Sequence, residues 1–191
     1  MVLLRKDGDG ARRIDGEGVY LRAPEARDYA EWSDLRERSR AFLAPWEPTW
    51  ALDELSRGSF RYKLRRYAED ARDDKAYAFF IFREEDSALT GGVTMSNVRR
   101  GVAQACSLGY WAGEPFAGRG YTTAAVRAVT RFAFDDLDLH RIEAACQPEN
   151  AASRAVLTKA GFTHEGQAKA YLKINGAWRD HLLFGRVNEA G

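Results

Sequence analysis

The chain reads as an α+β (mixed α/β) protein, a central sheet with helices laid against it. Three observations predict this. The β-rich runs YAFFIF (77–82), LTGGVTMSNV (89–98) and VAQACSLGYW (102–111) follow one another across turn residues, as an antiparallel meander does. Beyond them, amphipathic stretches alternate with short apolar runs. Finally, Asn175-Gly176 stands between two β-rich segments and is a strong hairpin signal.

The elements follow in order. Residues 7–18, DGDGARRIDGEG, are turn-rich and read as a loop or hairpin, with VYLRAP after them as a short strand. From Glu25 the residues Tyr29, Trp32, Leu35, Ser39 and Phe42 recur at helical spacing. PWEP (45–48) stops that helix, because each proline disfavours helix in the residue before it. A second helix is expected from about Asp53 to Ala71, with Phe60, Leu64, Tyr67 and Ala71 on one face. After the meander, PFAGRGYTTAAV (115–126) is a glycine turn opening a helix from Thr122 to about Asp136, with Ala125, Val129, Phe132 and Ala133 inward. RIEAAC (141–146) is the next strand, and ASRAVLTKA (152–160) a helix closed by Gly161. Strands over 168–174 and 178–187 form the last hairpin. The order is ββββ-α-β-α-ββ, with the first helices inserted early.

Composition narrows the function classes. A length of 191 residues suits a single domain, here taken as 1–191. With 29 basic and 28 acidic residues the chain lacks the basic excess that broad nucleic-acid binding needs, so none is expected. The apolar run in MVLLRKDGDG is too short for a signal-peptide core, and nothing approaches a membrane span, so a cytoplasmic protein is the expectation. Cys106 and Cys146 form no CxxC and the three histidines are scattered, which indicates neither a disulfide framework nor a metal. Five Trp among 12% aromatic residues hint at an aromatic-lined pocket.

The glycine loop allows three phosphate readings, beside a plain tight turn. A P-loop would need Lys and a hydroxyl where Arg119 and Gly120 stand. A dinucleotide fingerprint would need glycine at Thr123, and the acidic residues that follow (Asp135, Asp136, Asp138) precede a strand when they should end one. The third reading is a coenzyme A diphosphate site, in which successive backbone N–H groups and the helix N-terminus converge on the phosphates.

Here the sequence resembles the GNAT superfamily of N-acetyltransferases, and within it the RimJ/RimL ribosomal-protein-alanine acetyltransferases, RimJ above all. The resemblance runs from Phe42 to Val187. It is carried by FLAPWEP, SNVRRG, LGYW, GRGYTT, LHRIEA, PENAASRAVLTKAGF and EGQAKAYLKINGAWRDHLL. It implies a mixed, mostly antiparallel sheet flanked by helices, with a splay between two parallel strands. Acetyl-CoA would lie in that splay without any metal, its pantetheine pairing with the backbone of Tyr110, Trp111 and Ala112. The loop Gly118, Arg119, Gly120, Tyr121, Thr122 and Thr123 would hold the diphosphate. The family's usual Gln or Arg is Ala117 here, and its last small residue is Thr122. Arg119 could compensate, as guanidinium suits phosphate; Arg154 and Lys159 are further cations, equally readable as solvated surface residues.

Asn150 matches the asparagine that hydrogen-bonds the coenzyme, a role compatible with capping the following helix. Ser153 matches the serine near the thioester sulfur. The tyrosine acid of many members is replaced by Leu157, which leaves Ser153 to donate to the departing thiolate; a surface serine is the alternative.

A base is harder to place. Glu143 lies beside the expected splay, although a strand-face ion pair explains it equally; Asp180 and His181 alternate onto opposite faces. Cys146 reads as a buried thiol. Trp46, Glu47, Tyr171 and Asp180, with Trp178, are expected around the acceptor. The resemblance implies direct acetyl transfer in a ternary complex to an N-terminal alanine or serine of a ribosomal or other protein. A small amine (amino sugar, polyamine, antibiotic) and a non-catalytic acyl-CoA sensor are the alternatives, with the chain a monomer or homodimer.

Overall fold

Alternation along one strand explains the layering. In strand β3 (Tyr77–Arg83) Tyr77, Phe79 and Ile81 face one core, and Phe80 and Phe82 face another. A strand covered on both faces needs an unbroken apolar run, which YAFFIF supplies. The computed structural model describes residues 13–189; residues 7–12 of the turn-rich segment lie outside them.

The other strands are β1 (Arg13–Asp15), β2 (Val19–Arg22), β4 (Leu89–Arg99), β5 (Ala105–Ala112), β6 (Arg141–Cys146), β7 (Thr163–Ile174) and β8 (Ala177–Val187). They form one eight-stranded sheet in the order β1-β2-β3-β4-β5-β6-β8-β7. Every neighbouring pair is antiparallel except β5 and β6, which run parallel. Helices α4 (Tyr121–Arg131) and α5 (Ala151–Lys159) cover one face, burying Ala125, Val129 and Leu157 completely against the sheet. Helices α1 (Tyr29–Arg38) and α3 (Arg57–Arg72) bring Trp32, Leu35 and Phe60 against Phe80, Phe82 and Leu89 on the other. Much of the aromatic content fills this second core.

Boundaries shift where a local hydrogen bond outweighs periodicity. The first helix breaks at Ser39 and resumes as α2 (Arg40–Leu43). The Ser39 hydroxyl, fully buried, accepts from the N–H of Glu114 at 2.9 Å and so ties the helix break to the turn after β5. Helix α3 starts at Arg57, later than expected, because Ser56 caps it by accepting from Ser59 N at 3.1 Å. Strand β5 starts at Ala105, since Gly101 and Gln104 turn the chain with φ of 66° and 39°. Helix α4 yields at Phe132 to one π-helical turn through Asp136. Strand β7 begins at Thr163, well before the expected 168.

Candidate active site

The parallel pair β5–β6 holds register only from Ala105 opposite Arg141 to Leu108 opposite Ala144. Beyond that point β5 continues to Ala112, paired with β4 alone, and β6 stays with β8. The strands part, and the edge of Gly109–Ala112 that faces β6 has no strand partner. The opposite edge is held closely. A Cβ on Gly91 would lie 2.3 Å from the Trp111 carbonyl oxygen, and one on Gly92 2.5 Å from Trp111 Nε1. The two glycines of LTGG therefore let β5 and Trp111 seat; paired glycines inside a strand were the available signal.

Past β5 the chain enters the glycine loop. Gly118 and Gly120 have φ of 74° and 87°, the left-handed region that side-chain-bearing residues rarely adopt, and Gly120 is the N-cap of α4. A Cβ at either would meet no protein atom within 4 Å. Glycine is thus favoured by backbone conformation, and the space above the loop is open. Arg119 is exposed, and Tyr121 and Thr123 border the same groove.

Between the parted strands lies a cavity of about 270 Å³ whose lining includes Tyr110, Trp111, Ala112, Gly118, Thr122, Asn150 and Ser153. Asn150 caps α5: its Oδ1 accepts from Ser153 N at 2.9 Å, so the capping role is realised with the residue still on the cavity wall. The Ser153 hydroxyl lies 2.8 Å from the phenol of Tyr110, whose single proton has two acceptors in reach, that hydroxyl and the Ser153 carbonyl at 3.2 Å. Burial raises the Tyr110 pKa well above its ordinary value, so the phenol stays protonated. This partnership went unread in the sequence, where Tyr110 was considered only for its backbone; nothing in the spacing of 110 and 153 announces it. Leu157 is fully buried, and burial raises the Cys146 thiol. Arg154 is exposed and donates to the Pro148 carbonyl at 3.3 Å.

The far wall comes from α2 and the following turn, where Phe42, Leu43, Trp46 and Glu47 line the cavity. Glu47 is committed: Arg36 holds both of its oxygens at 2.7 Å, and Trp50 Nε1 donates at 2.7 Å. The Arg36 guanidinium lies over the rings of Trp50 and Trp111, 4.2 and 4.9 Å from their centroids. The hairpin β7–β8 closes on this wall through Asn175 N, which donates to Glu47 O at 2.9 Å, leaving Tyr171, Leu172 and Trp178 exposed.

Tyr171 and Trp178, expected around the acceptor, do not line the cavity, and neither do two expected carboxylates. Glu143 sits on the solvent side of β6, held by Arg99 at 2.5 Å and Arg141 at 3.2 Å, because alternation sends Ile142 and Ala144 into the core. Asp180 accepts from Ala170 N at 2.8 Å and Gln167 Nε2 at 3.2 Å, pinning a bulge in β7 where Ala170 has φ of 46°. Neither carboxylate borders the cavity. His181 is buried, with its ring against Tyr171 and its Nδ1–H donating to the Arg179 carbonyl at 3.0 Å. Among the described residues no cluster could hold a metal ion, and no helix is long and apolar enough to cross a membrane.

A parted parallel pair, a left-handed glycine loop opening a helix, and a capped serine at the parting define an acyltransferase that takes its acyl group from a coenzyme A thioester. The chain belongs to the acetyltransferase (GNAT) domain family, whose model matches residues 19–163, and is an acetyl-CoA-dependent N-acetyltransferase. It is 37% identical over 175 residues to a probable N-acetyltransferase, YjcK, of Bacillus subtilis, covering 92% of this chain and 97% of that one. It is 33% identical to the [ribosomal protein uS5]-alanine N-acetyltransferase of Escherichia coli, covering 90% and 88%. The structure of Mycobacterium smegmatis RimJ in complex with CoA-disulfide superposes with a TM-score of 0.86 at 35% identity, covering 94% and 87%.

Proposed function

We propose that this enzyme acetylates the N-terminal α-amine of a polypeptide, alanine or serine first, with a ribosomal protein as the acceptor class that its relatives' names carry. The proposed setting is the cytoplasm. One observation carries the choice of amine: the carboxylates expected near the reaction are all engaged. Glu47 is held by Arg36 and Trp50, Glu143 by two arginines, and Asp180 by the β7 bulge. An acceptor that needs little help to lose its proton suits such a site. An α-amine has a pKa of roughly 7.7–8.0 and is about a tenth neutral near pH 7, whereas lysine at about 10.4 is almost wholly charged.

The residues divide the work. Acetyl-CoA supplies an activated acyl carbon. Backbone N–H groups of the loop and the N-terminus of α4 would hold its diphosphate, and the free edge of Tyr110–Ala112 its pantetheine arm. The same edge offers donors for the oxyanion that forms as the amine attacks. A C–N bond forms and the C–S bond breaks; the amine's proton leaves to water, and the sulfur leaves as a thiolate. Ser153, oriented by Tyr110 and by the cap that Asn150 makes, donates a hydrogen bond to that sulfur.

The test is release of CoA thiol from acetyl-CoA with peptides beginning Ala, Ser or Met and with a panel of amino sugars and polyamines. Turnover on the Ala and Ser peptides is expected. Turnover confined to small amines would overturn the acceptor assignment, and acetyl-CoA binding without turnover on anything would make the protein a sensor.

A further inference from the structure

Helix α3 has two unlike faces. Inward, Phe60 is buried in the second core and Leu64 packs beside it. Lys63, toward the same side, is paired with Glu54 and lies over the Trp32 ring, 5.3 Å from its centroid. Outward stand Arg57, Arg61, Arg65 and Arg66 with Tyr62, all exposed. The helix carries six basic residues against two acidic ones, whereas the whole chain is nearly balanced at 29 against 28. Total charge therefore hides a local excess, and the expectation of no nucleic-acid contact rests on the total alone.

The outward charges contribute nothing to the helix's own stability. Arg57, Arg61 and Arg65 follow one another at intervals of four residues, a spacing at which like charges on a helix repel. Arg57 stands in the first turn, where the helix dipole disfavours a cation, and no acidic residue shares that turn. Among the described residues, no carboxylate comes within ion-pair distance of these three, and Arg66 reaches one loosely, Asp70 at 3.9 Å. The Arg57 guanidinium lies over the Tyr29 ring, 4.4 Å from its centroid, and a neutral ring leaves its charge uncancelled.

Geometry indicates what would gather these charges. At 1.5 Å per residue the three arginines follow at steps of about 6 Å along the helix. They suit a ligand that repeats its negative charge at short, regular intervals. A phosphodiester backbone does so, and the guanidinium fork matches phosphate. Tyr62 offers a second kind of contact. Its ring is 57% exposed and neighbours Arg65 and Arg66 across one helical turn, where an unpaired base can stack on it. Cations along a surface with an aromatic ring among them are how proteins hold single strands. An acidic polypeptide would meet the charge and leave the ring unused.

We propose that the outer face of α3 docks the phosphodiester backbone of a single-stranded nucleic acid, with Arg57, Arg61, Arg65 and Arg66 on phosphates and Tyr62 against a base. None of these residues lines the cavity, so docking and acetyl transfer are separate. A polypeptide acceptor seated on RNA would be held at two points, its N-terminus in the cavity and its RNA along α3.

The test follows a fluorescently labelled oligouridine by anisotropy over a range of salt concentrations, with the native enzyme and the Arg61→Ala/Arg65→Ala double variant. Native binding should fall with salt at a log–log slope of about −3, as four phosphate contacts on a single strand predict. The double variant should bind about tenfold or more weakly, with the slope shallower by about 1.4. Tyr62→Ala should weaken binding about fivefold with the slope kept, because stacking releases no counterions. These side chains are exposed, so Tm and acetylation of a short Ala peptide should match those of the native enzyme. No binding of the oligouridine, or equal binding by native enzyme and double variant, overturns the proposal and leaves acetyl transfer standing. Oligothymidine should bind as oligouridine does, since neither a phosphate contact nor a stacked ring reads the 2′-hydroxyl; binding of RNA alone overturns the backbone reading. An oligoglutamate peptide is the last arm. If it binds more tightly than the oligonucleotides, and the double variant loses that binding, the face serves a polypeptide and the proposal fails.

Discussion

On the side of the cavity proposed for the coenzyme the groups offered belong to the backbone: the free edge of Tyr110–Ala112, the left-handed loop at Gly118 and Gly120, and the first N–H groups of α4. On the acceptor side they are side chains tied to one another, Arg36 to Glu47, Glu47 to Trp50, and Arg36 over two indoles. The first kind of construction tolerates changes in side chain but not in backbone conformation. Ala117 can stand where the resemblance leads one to expect Gln or Arg, whereas Gly120 has no substitute at its φ. The second kind is reversed: backbone drift is absorbed, and loss of one charged partner strands the other.

The largest effect should follow from breaking the acceptor-side network. The Arg36 and Glu47 side chains are only 8% and 20% exposed. Glu47→Gln leaves the guanidinium without its counter-charge and should cost about 3 kcal/mol of stability. In a chain of this length thermal unfolding should report a Tm lower by roughly 6–12 °C. A Tm within 1–2 °C of native, about what a surface substitution gives, would mean that the pair is less desolvated than its burial implies.

Breaking the coenzyme side comes next. Gly120→Val forces a β-branched residue to φ of 87° and should weaken acetyl-CoA by about 2 kcal/mol, roughly thirtyfold in Kd, with Tm moving less. Unchanged affinity would remove the loop from coenzyme binding.

Between the two walls stands the pair Tyr110–Ser153. Ser153→Ala should lower kcat about tenfold with little change in KM, and Tyr110→Phe less, since it frees the serine without removing it. Equal kcat in native enzyme and Ser153→Ala would end the serine's catalytic role. The smallest effect is expected outside the cavity. Glu143→Gln breaks exposed ion pairs, so stability should move by under about 1 kcal/mol and kcat not at all. A kcat loss there would restore Glu143 as a base.

The same contrast explains what the sequence disclosed. Backbone devices leave letters behind: glycines where φ must be positive, Asn150 three residues before Ser153 at a cap, alternation in RIEAAC and continuous apolarity in YAFFIF. These devices therefore stand in the sequence where the structure has the turn, the cap and the strands. Networks between distant side chains leave none. Nothing in the chain says that Arg36 will find Glu47 eleven residues on, or that a phenol on β5 will meet a hydroxyl on α5. Glu143 and Asp180 were plausible as chemistry, and the structure points both away from the cavity, because a strand face is decided by its neighbours: Arg99 and Arg141 hold one, and a bulge holds the other. The boundary errors have the same origin. Ser39 and Ser56 end or begin helices through hydrogen bonds that hydrophobic periodicity does not register.

The bulge pinned by Asp180 has a further consequence. Strand β7 is twelve residues long and forms an outer edge of the sheet, with most of its side chains exposed. A long regular edge is a template on which a second chain can polymerise. Two register shifts, one between His164 and Gly166 and one between Ala168 and Leu172, interrupt that template, and Asp180 fixes the second by holding Ala170 N. A carboxylate first considered for substrate thus keeps the protein's border irregular, so that copies crowded together meet an edge they cannot extend.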